Sequence, residues 1–348
     1  MAQVDVSVVV PTFNRPDLLR PTLESVLGQT RPPREIIVVD NGTDERTEQV
    51  VEGYGPHVRY VKIAPGGVQL ARNKGVEVAS STWIAFLDDD DLYDPAFFEN
   101  IEPVIADGRA QMIATDHRKF LHPLELGQFN EKTNVEMAPD GYLEGIPRPE
   151  AGAAWSYVGS FPVERLVRYN IFYPSTLVLR RDFICSLGGF DPAVRGIPSE
   201  DIEFTSRALA AGRLAIVWRD LVSYRMHGSN TSGNPVKQRV GKWRILEKVD
   251  AKNAHGSAAL AAALRENLPV RRRRVFDLAF RHGLDDLLRE VAPLLAPEDM
   301  TLKRRVKLRA ISLPGPLRAI PRELVKRLST ASAIDRRALE SWSPGSKA

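Results

Sequence analysis

The chain has 348 residues, 43% hydrophobic and 26% charged, with a formal net charge of +4. That is the composition of a soluble globular protein with one large or two ordinary domains. A single cysteine, Cys185, excludes a disulfide framework, and nothing is spaced like a zinc site. Cys185 reads as a small core residue, because no basic cluster adjoins it. The opening MAQVDVSVVVPTFNRP has no cationic leader, and its apolar run is too short for a signal peptide or a membrane span. Cytoplasmic residence is the expectation.

Short β-branched-rich runs at 4–10, 35–40, 58–63, 83–88 and 110–116 read as strands. Between them, Leu18, Leu19, Leu23, Val26 and Leu27 fall on one helical stripe, where Pro21 should kink or shorten the first turn. Val68, Ala71, Val76 and Ala79 mark a second, weaker stripe. Strands alternating with helices predict an α/β layer with a largely parallel sheet.

The first strand runs into Pro11-Thr12-Phe13-Asn14-Arg15, a polar turn suited to presenting backbone N–H groups to a phosphate or a base. Neither G-x-G-x-x-G nor G-x-x-x-x-G-K-[ST] is present, which argues against dinucleotide and P-loop binding. The second strand ends in Asp40-Asn41-Gly42, which suits either the imide N–H of a pyrimidine or a simple turn. Gly66-Gly67 opens a helix whose first turns carry Arg72, a partner for a diphosphate or for a surface carboxylate.

Trp83 to Leu87 is an apolar strand that ends in four consecutive carboxylates, Asp88 to Asp91. Such anions stay ionised at pH 7 only if water or cations screen them. Ligands bind at the carboxyl ends of parallel strands, and a hard divalent cation carrying a phosphate suits this cluster. Residues 117–174 follow as a long excursion rich in Pro, Gly and aromatics, with Trp155, Tyr157, Phe161, Tyr169, Phe172 and Tyr173 divided between a substrate-facing and a core role. Glu200 and Asp201 then precede the helical run IEFTSRALAAG, where a carboxylate fits either a general base or a helix cap. His227 follows an apolar segment; paired with a carboxylate it would make a metal ligand.

Residues 235–348 hold 25 Lys and Arg against 12 Asp and Glu, which leaves 23 against 32 for residues 1–234. The charge step predicts a domain boundary at 234/235, followed by a mostly helical basic region. Prolines near 269, 293, 297, 314, 316 and 321 should break its helices. Arg271–Arg274 and the 303–309 run suit an anionic membrane face or the solvated side of a bundle. Sparse aromatics among these cations disfavour nucleic acid.

VSVVVPTFNR, EIIVVDNGT, GGVQLARNKG, IAFLDDDDLYDP, GGFDPAV, SEDIEF and YRMHGSN, in this order over residues 6 to about 232, resemble the family 2 glycosyltransferases. The resemblance implies a GT-A fold: a nucleotide-sugar-binding half (1–116), an acceptor-side half (117–234), and a mixed, mainly parallel sheet. It implies inverting transfer from a UDP- or dTDP-sugar to a saccharide, lipid-linked or other hydroxyl acceptor, with Mn²⁺ or Mg²⁺ as cofactor. It assigns Asp40 to the nucleobase, with Pro11, Thr12, Asn14, Arg15 and Asn41 lining that pocket, and Gly67 and Arg72 to the diphosphate. Asp88 with Asp90 is the D-x-D pair most like the family's, beside Asp89. Asp88 would meet ribose and metal, Asp90 the metal, and His227 would complete its shell. Asp201 matches the catalytic base, with Glu200 beside it. A metal-dependent nucleotidyltransferase or phosphohydrolase, or a non-catalytic scaffold of the same fold, is the alternative, because Asp clusters serve those too.

Overall fold

The computed structural model describes residues 3–121, 129–228 and 233–311. Its first part alternates regularly: β1 (Val4–Thr12), α1 (Pro16–Leu27), β2 (Pro33–Asp40), α2 (Arg46–Glu52), β3 (Val58–Lys62), α3 (Val68–Val78) and β4 (Trp83–Phe86). After the acidic run come β5 (Leu92–Tyr93), α4 (Phe97–Asp107), β6 (Met112–Leu121), β7 (Trp155–Gly159), β8 (Leu177–Arg180), α5 (Arg181–Ser186), α6 (Asp201–Ala211) and β9 (Leu214–Met226). Helices α7 (Pro235–Ala251), α8 (Ala258–His282), α9 (Asp285–Val291) and α10 (Leu302–Ala310) complete the described chain.

All nine strands join one mixed sheet in the order β3-β2-β1-β4-β8-β6-β9-β5, with β7 also on β9. The first four in that order are mutually parallel, so their carboxyl ends share one edge. Strand β8 runs antiparallel to β4 and β6, while β6 lies parallel to β9. The unbroken Val8-Val9-Val10 run has its physical reason here: a parallel strand covered on both faces carries no polar side. Val8 and Val10 belong to the core cluster that includes Leu19, Leu23 and Val26 of α1. Val9 meets α3 at Gly75, on the opposite face.

Three expectations are corrected. Helix α1 continues unbroken through Pro21, and Leu27 at its end is 38% exposed and off the buried stripe. Pro21 costs one backbone bond, to the Asp17 carbonyl, while Leu19, Leu23 and Val26 hold the helix to the sheet from both sides of it. Helix α8 likewise runs through Pro269, whereas Pro293 and Pro297 start short 3-10 turns; Pro314, Pro316 and Pro321 lie outside the described residues. Cys185 is exposed, because α5 buries Phe183 and Ile184 and turns the cysteine outward.

The chain divides into two compact units, Met1–Arg265 and Glu266–Ala348. The charge step at 235 therefore precedes the packing step. Helix α7 stays with the first unit because Val240, Trp243, Ile245, Leu246 and Val249 are buried and Gly241 packs directly on Pro198. In the second unit several cations are already spent on carboxylates. Arg304 and Lys307 both pair with Asp277, at 2.8 and 2.6 Å, and Arg273 pairs with Asp299 at 2.7 Å. Among the described residues no helix is long and apolar enough to cross a membrane.

Gly75 is the closest approach of α3 to the sheet, where a β-carbon would overlap Cγ1 of Val9. Gly75→Ala should cost about 1–3 kcal/mol of stability as an overpacked core, read as a lower urea midpoint with unchanged slope. An unchanged midpoint would show that the helix can back away freely.

Candidate active site

The carboxyl edge of the parallel strands opens into a cleft of about 810 Å³, a size suited to a small-molecule ligand. One wall is the turn after β1, a second the loop into α3, a third the acidic run after β4. The wall opposite comes from the loop Arg195–Ser199 before α6, from Tyr169 to Pro174, and from Gln238 and Lys242 of α7.

The acidic run survives because cations and hydroxyls are built around it. Arg15 reaches Asp89 at 3.2 Å and Asp90 at 2.8 Å, and Arg72 reaches Asp88 at 2.6 Å. The Thr12 hydroxyl donates to Asp89 at 2.7 Å, and the Ser175 hydroxyl donates to Asp91 at 2.6 Å. Thr22 donates to the carbonyls of both Asp89 and Asp91, fixing the backbone of the turn. Burial, then the charge of Asp90, lifts Asp89 to about 7 against the pull of Arg15. Burial drives Asp91 well above the usual carboxylate range.

Exposure separates the four. The side chains of Asp88 and Asp90 are 31% and 12% open, while that of Asp89 is 6% open and Asp91 as a whole 1%. All four line the cleft, and the two with the more open side chains are Asp88 and Asp90. Nε2 of His227 lies 3.0 Å from Oδ2 of Asp90, across 137 residues of sequence. That is hydrogen-bond distance, and Nη1 of Arg15 reaches the same oxygen at 2.8 Å, so a divalent ion taking Asp90 and His227 as ligands would replace both contacts. Among the described residues no three His, Cys, Asp or Glu side chains converge as metal ligands. A cation here would draw the rest of its shell from substrate phosphate and water, a usual arrangement for Mg²⁺.

Arg72 joins the two halves of the cleft. It is buried at 2% exposure, and Nη1 lies 3.7 Å from Glu200 while Nη2 holds Asp88. Nε and Nη1 make no hydrogen bond. Glu200 and Asp201 begin α6, yet Glu200 at the N-cap makes no side-chain capping bond, which removes the simple cap as the reason for this pair. Burial, then the neighbouring Glu200 charge, raises Asp201 to about 7. Asn170 donates to Oδ2 of Asp201 at 3.0 Å. Ser199, just before the pair, sits at φ +67, a strained conformation for a serine, and its hydroxyl donates to Gln238 of α7 at 3.0 Å.

Of the residues expected near a nucleobase, Pro11, Thr12, Arg15 and Asn41 line the cleft. Asp40 does not. Its Oδ1 accepts from the Gly42 N–H at 2.8 Å, and its Oδ2 accepts from Tyr60 at 2.7 Å and Lys62 at 2.6 Å. Asn14, at φ +54, is likewise turned away to accept from the N–H groups of Thr43 and Asp44. The Asn41 amide lies between the Thr12 carbonyl, to which it donates at 2.6 Å, and the Gly67 N–H, from which it accepts at 3.2 Å. Gly67 caps α3 at φ +95, a conformation that favours glycine.

Sequence reading missed Asn170, Arg195, Gln238 and Lys242, all of which line the cleft, and Ser175, which holds Asp91 from behind it. None stands in a motif, and a local pattern has no means of showing them. The aromatics of the excursion divide: Tyr169 and Tyr173 line the cleft, whereas Phe161 and Phe172 are buried against each other with ring centroids 5.0 Å apart.

The chain is similar to known proteins in sequence and in fold. Residues 7–138 match the family model described as "Glycosyl transferase family 2". The uncharacterized glycosyltransferase EpsJ of Bacillus subtilis is 30% identical over 313 residues, 86% of this chain and 82% of EpsJ. The uncharacterized glycosyltransferase YibD of Escherichia coli is 36% identical over 98 residues, 27% of this chain and 28% of YibD. Crystal structures of S. aureus TarS 1–349 with UDP and with UDP-GlcNAc superpose with TM-scores of 0.57 and 0.59 at 16% identity, covering 94% of this chain and 93% of that one. At that identity the likeness is one of fold.

Arg72→Met would leave Asp88 and Glu200 without their shared cation. The expected loss of stability is about 3–5 kcal/mol, as for other broken buried pairs, and adding Asp88→Asn should restore part of it. Urea unfolding of the two variants measures both effects. A cost under about 1 kcal/mol, typical of exposed pairs, would mean that Arg72 is not the bridge.

Proposed function

The chain belongs to the family 2 glycosyltransferases, and on that footing we propose a metal-dependent, inverting transfer of a sugar from a UDP- or dTDP-sugar to an acceptor hydroxyl. Asp201 is the general base, and Asp90 and His227 hold a Mn²⁺ or Mg²⁺ ion. Membership of this enzyme family displaces the nucleotidyltransferase, phosphohydrolase and scaffold alternatives.

The observation that carries the reading is that Asp201 and Asp90 line one cleft, and that Arg72 joins their neighbours Glu200 and Asp88. A donor diphosphate bound in this cleft lies near both the cation site and Arg72, whose guanidinium is buried between Asp88 and Glu200. When bound, the divalent ion supplies Lewis-acid stabilisation of the negative charge that gathers on the leaving diphosphate. The crystal structures of TarS with UDP and UDP-GlcNAc support a uridine donor. On the base side, Thr12 and Asn41 line the cleft while Asp40 is held by Lys62 and Tyr60. A pyrimidine imide reaching Asp40 must therefore compete with the Lys62 ammonium.

A sugar hydroxyl is a poor nucleophile at pH 7, so a positioned carboxylate must take its proton as the new bond forms. A base is most effective with a pKa near the working pH, and Asp201, raised to about 7, meets that condition. Glu200 is engaged with Arg72, which leaves Asp201 as the carboxylate for the acceptor. One base and no carboxylate nucleophile means a single displacement, with inversion at the anomeric carbon. Tyr169, Tyr173 and Tyr224 give the acceptor side flat apolar surface, which supports a saccharide or another hydroxylated acceptor.

In calorimetric titrations, Mn²⁺ should tighten UDP binding to the wild type, and Asp90→Ala and His227→Ala should each remove that gain. Equal Mn²⁺ enhancement in both variants would remove the cation from this pair.

Asp201→Asn keeps shape and loses basicity. Turnover of the preferred nucleotide sugar should fall roughly a hundredfold or more, with UDP affinity near normal. Because the base works only when deprotonated, the wild-type rate should rise with pH through about 7 and then level off. Proton NMR of the product should show the anomer opposite to the donor's; retention of configuration would exclude single displacement.

A further inference from the structure

The segment between β7 and β8 delivers one neutral side chain to the proposed base. Asn170 is 8% exposed, and its Nδ2 donates to Oδ2 of Asp201 at 3.0 Å. The amide has no freedom to turn over, because its Oδ1 accepts from the N–H of Phe172 at 2.9 Å. Its backbone is anchored as well. The Asn170 carbonyl accepts from Nδ2 of Asn134 at 3.3 Å, and Oδ1 of Asn134 accepts from the Tyr169 hydroxyl at 2.6 Å. The preceding Tyr169 carbonyl accepts from the buried Tyr142 hydroxyl at 3.0 Å. The amide is thus fixed from three directions before it meets the carboxylate.

The charges around Asp201 leave this bond a distinct task. Glu200 beside it and Asp88 across the cleft favour its protonated form, Arg72 on α3 favours the anion, and the Tyr173 hydroxyl on the same wall is neutral. Asn170 adds a hydrogen bond to the anion while bringing no charge and no proton of its own to exchange. A carboxyl in its place would compete for the proton taken from the acceptor; an amide cannot.

We propose that Asn170 is the positioning residue for Asp201: its amide N–H binds Oδ2, holds the carboxylate as the anion, and leaves Oδ1 to take the acceptor's proton. This rests on Asp201 being the base. Asn170 does not touch the reacting atoms, so its effect must show in the titration of Asp201 and not in donor binding.

The test is carboxyl-carbon NMR titration of ¹³C-aspartate-labelled full chain, with the Asp201 resonance assigned by its loss in Asp201→Asn. It is run beside the pH–rate profile for hydrolysis of UDP-glucose and UDP-GlcNAc with Mn²⁺. Asn170→Ala should move the Asp201 midpoint up by about one pH unit, the scale of a lost hydrogen bond to a charge. Asn170→Asp keeps the size and the acceptor for the Phe172 N–H, but sets two carboxylates against each other, so its shift should be larger. UDP affinity should stay at the wild-type value in both. If Asn170→Ala does not fold, Asn170→Asp carries the test alone. Unchanged or lowered Asp201 midpoints overturn the inference, even if turnover falls, because a merely structural residue lowers rate without moving a titration. Wild-type turnover in Asp201→Asn would overturn the base assignment instead, and the NMR titration would still report separately on Asn170.

Discussion

Four carboxylates at one strand end repel one another, and much of the cleft can be understood as the means of keeping them there. Arg15 answers Asp89 and Asp90 from the turn after β1, and Arg72 answers Asp88 from α3. Hydroxyls of Thr12 and Ser175 take up Asp89 and Asp91. Those partners come from β1, α3 and the approach to β8, so the charge problem at one turn ties three parts of the sheet edge together. Asp88 and Asp90 keep the more exposed side chains of the run even with those cations in place.

Arg72 carries that constraint across the cleft. A guanidinium buried in this way is tolerable only among anions, and its anions come from both sides: Asp88 of the nucleotide half and Glu200 of the acceptor half. The positions of Asp88 and Glu200 are therefore coupled through one guanidinium.

Between β6 and β8 the described residues hold one strand, β7, and short 3-10 turns, with many side-chain bonds. A long irregular segment exposes backbone polar groups that must find partners. Here Asn134, Tyr142, Tyr169 and Asn170 supply them, and that polar chain ends on Asp201. Helix α7 adds a support from outside the matched motifs, where Gln238 accepts from the strained Ser199 and Gly241 admits Pro198. The charge composition of α7 groups it with the basic tail, but its buried residues hold it to the catalytic unit.

Five of the nine strands (β1 to β4 and β6), the α/β alternation of the first part and the acidic run were legible in the sequence, because each depends on local periodicity or on residue types within a short motif; β5, β7, β8 and β9 were not. Local chemistry does not say which oxygen is already taken. Asp40 reads as an open carboxylate, yet Tyr60 and Lys62 from the neighbouring strand occupy it. Four identical aspartates look alike in sequence; the fold gives them different partners, Arg72 for Asp88, Arg15 for Asp89 and Asp90, and Ser175 for Asp91. Pro21 reads as a kink or a shortened first turn, but packing on both sides of it carried α1 through. Cys185 reads as core, and only the direction of α5 turned it outward. The meeting of Asp90 with His227 across 137 residues, and of Asn170 with Asp201 across 31, is a matter of chain crossing. Sequence by itself determined which groups were present and on what kind of element; tertiary structure decided which of them remained unpaired, because hydrogen bonds and charges are satisfied by neighbours in space.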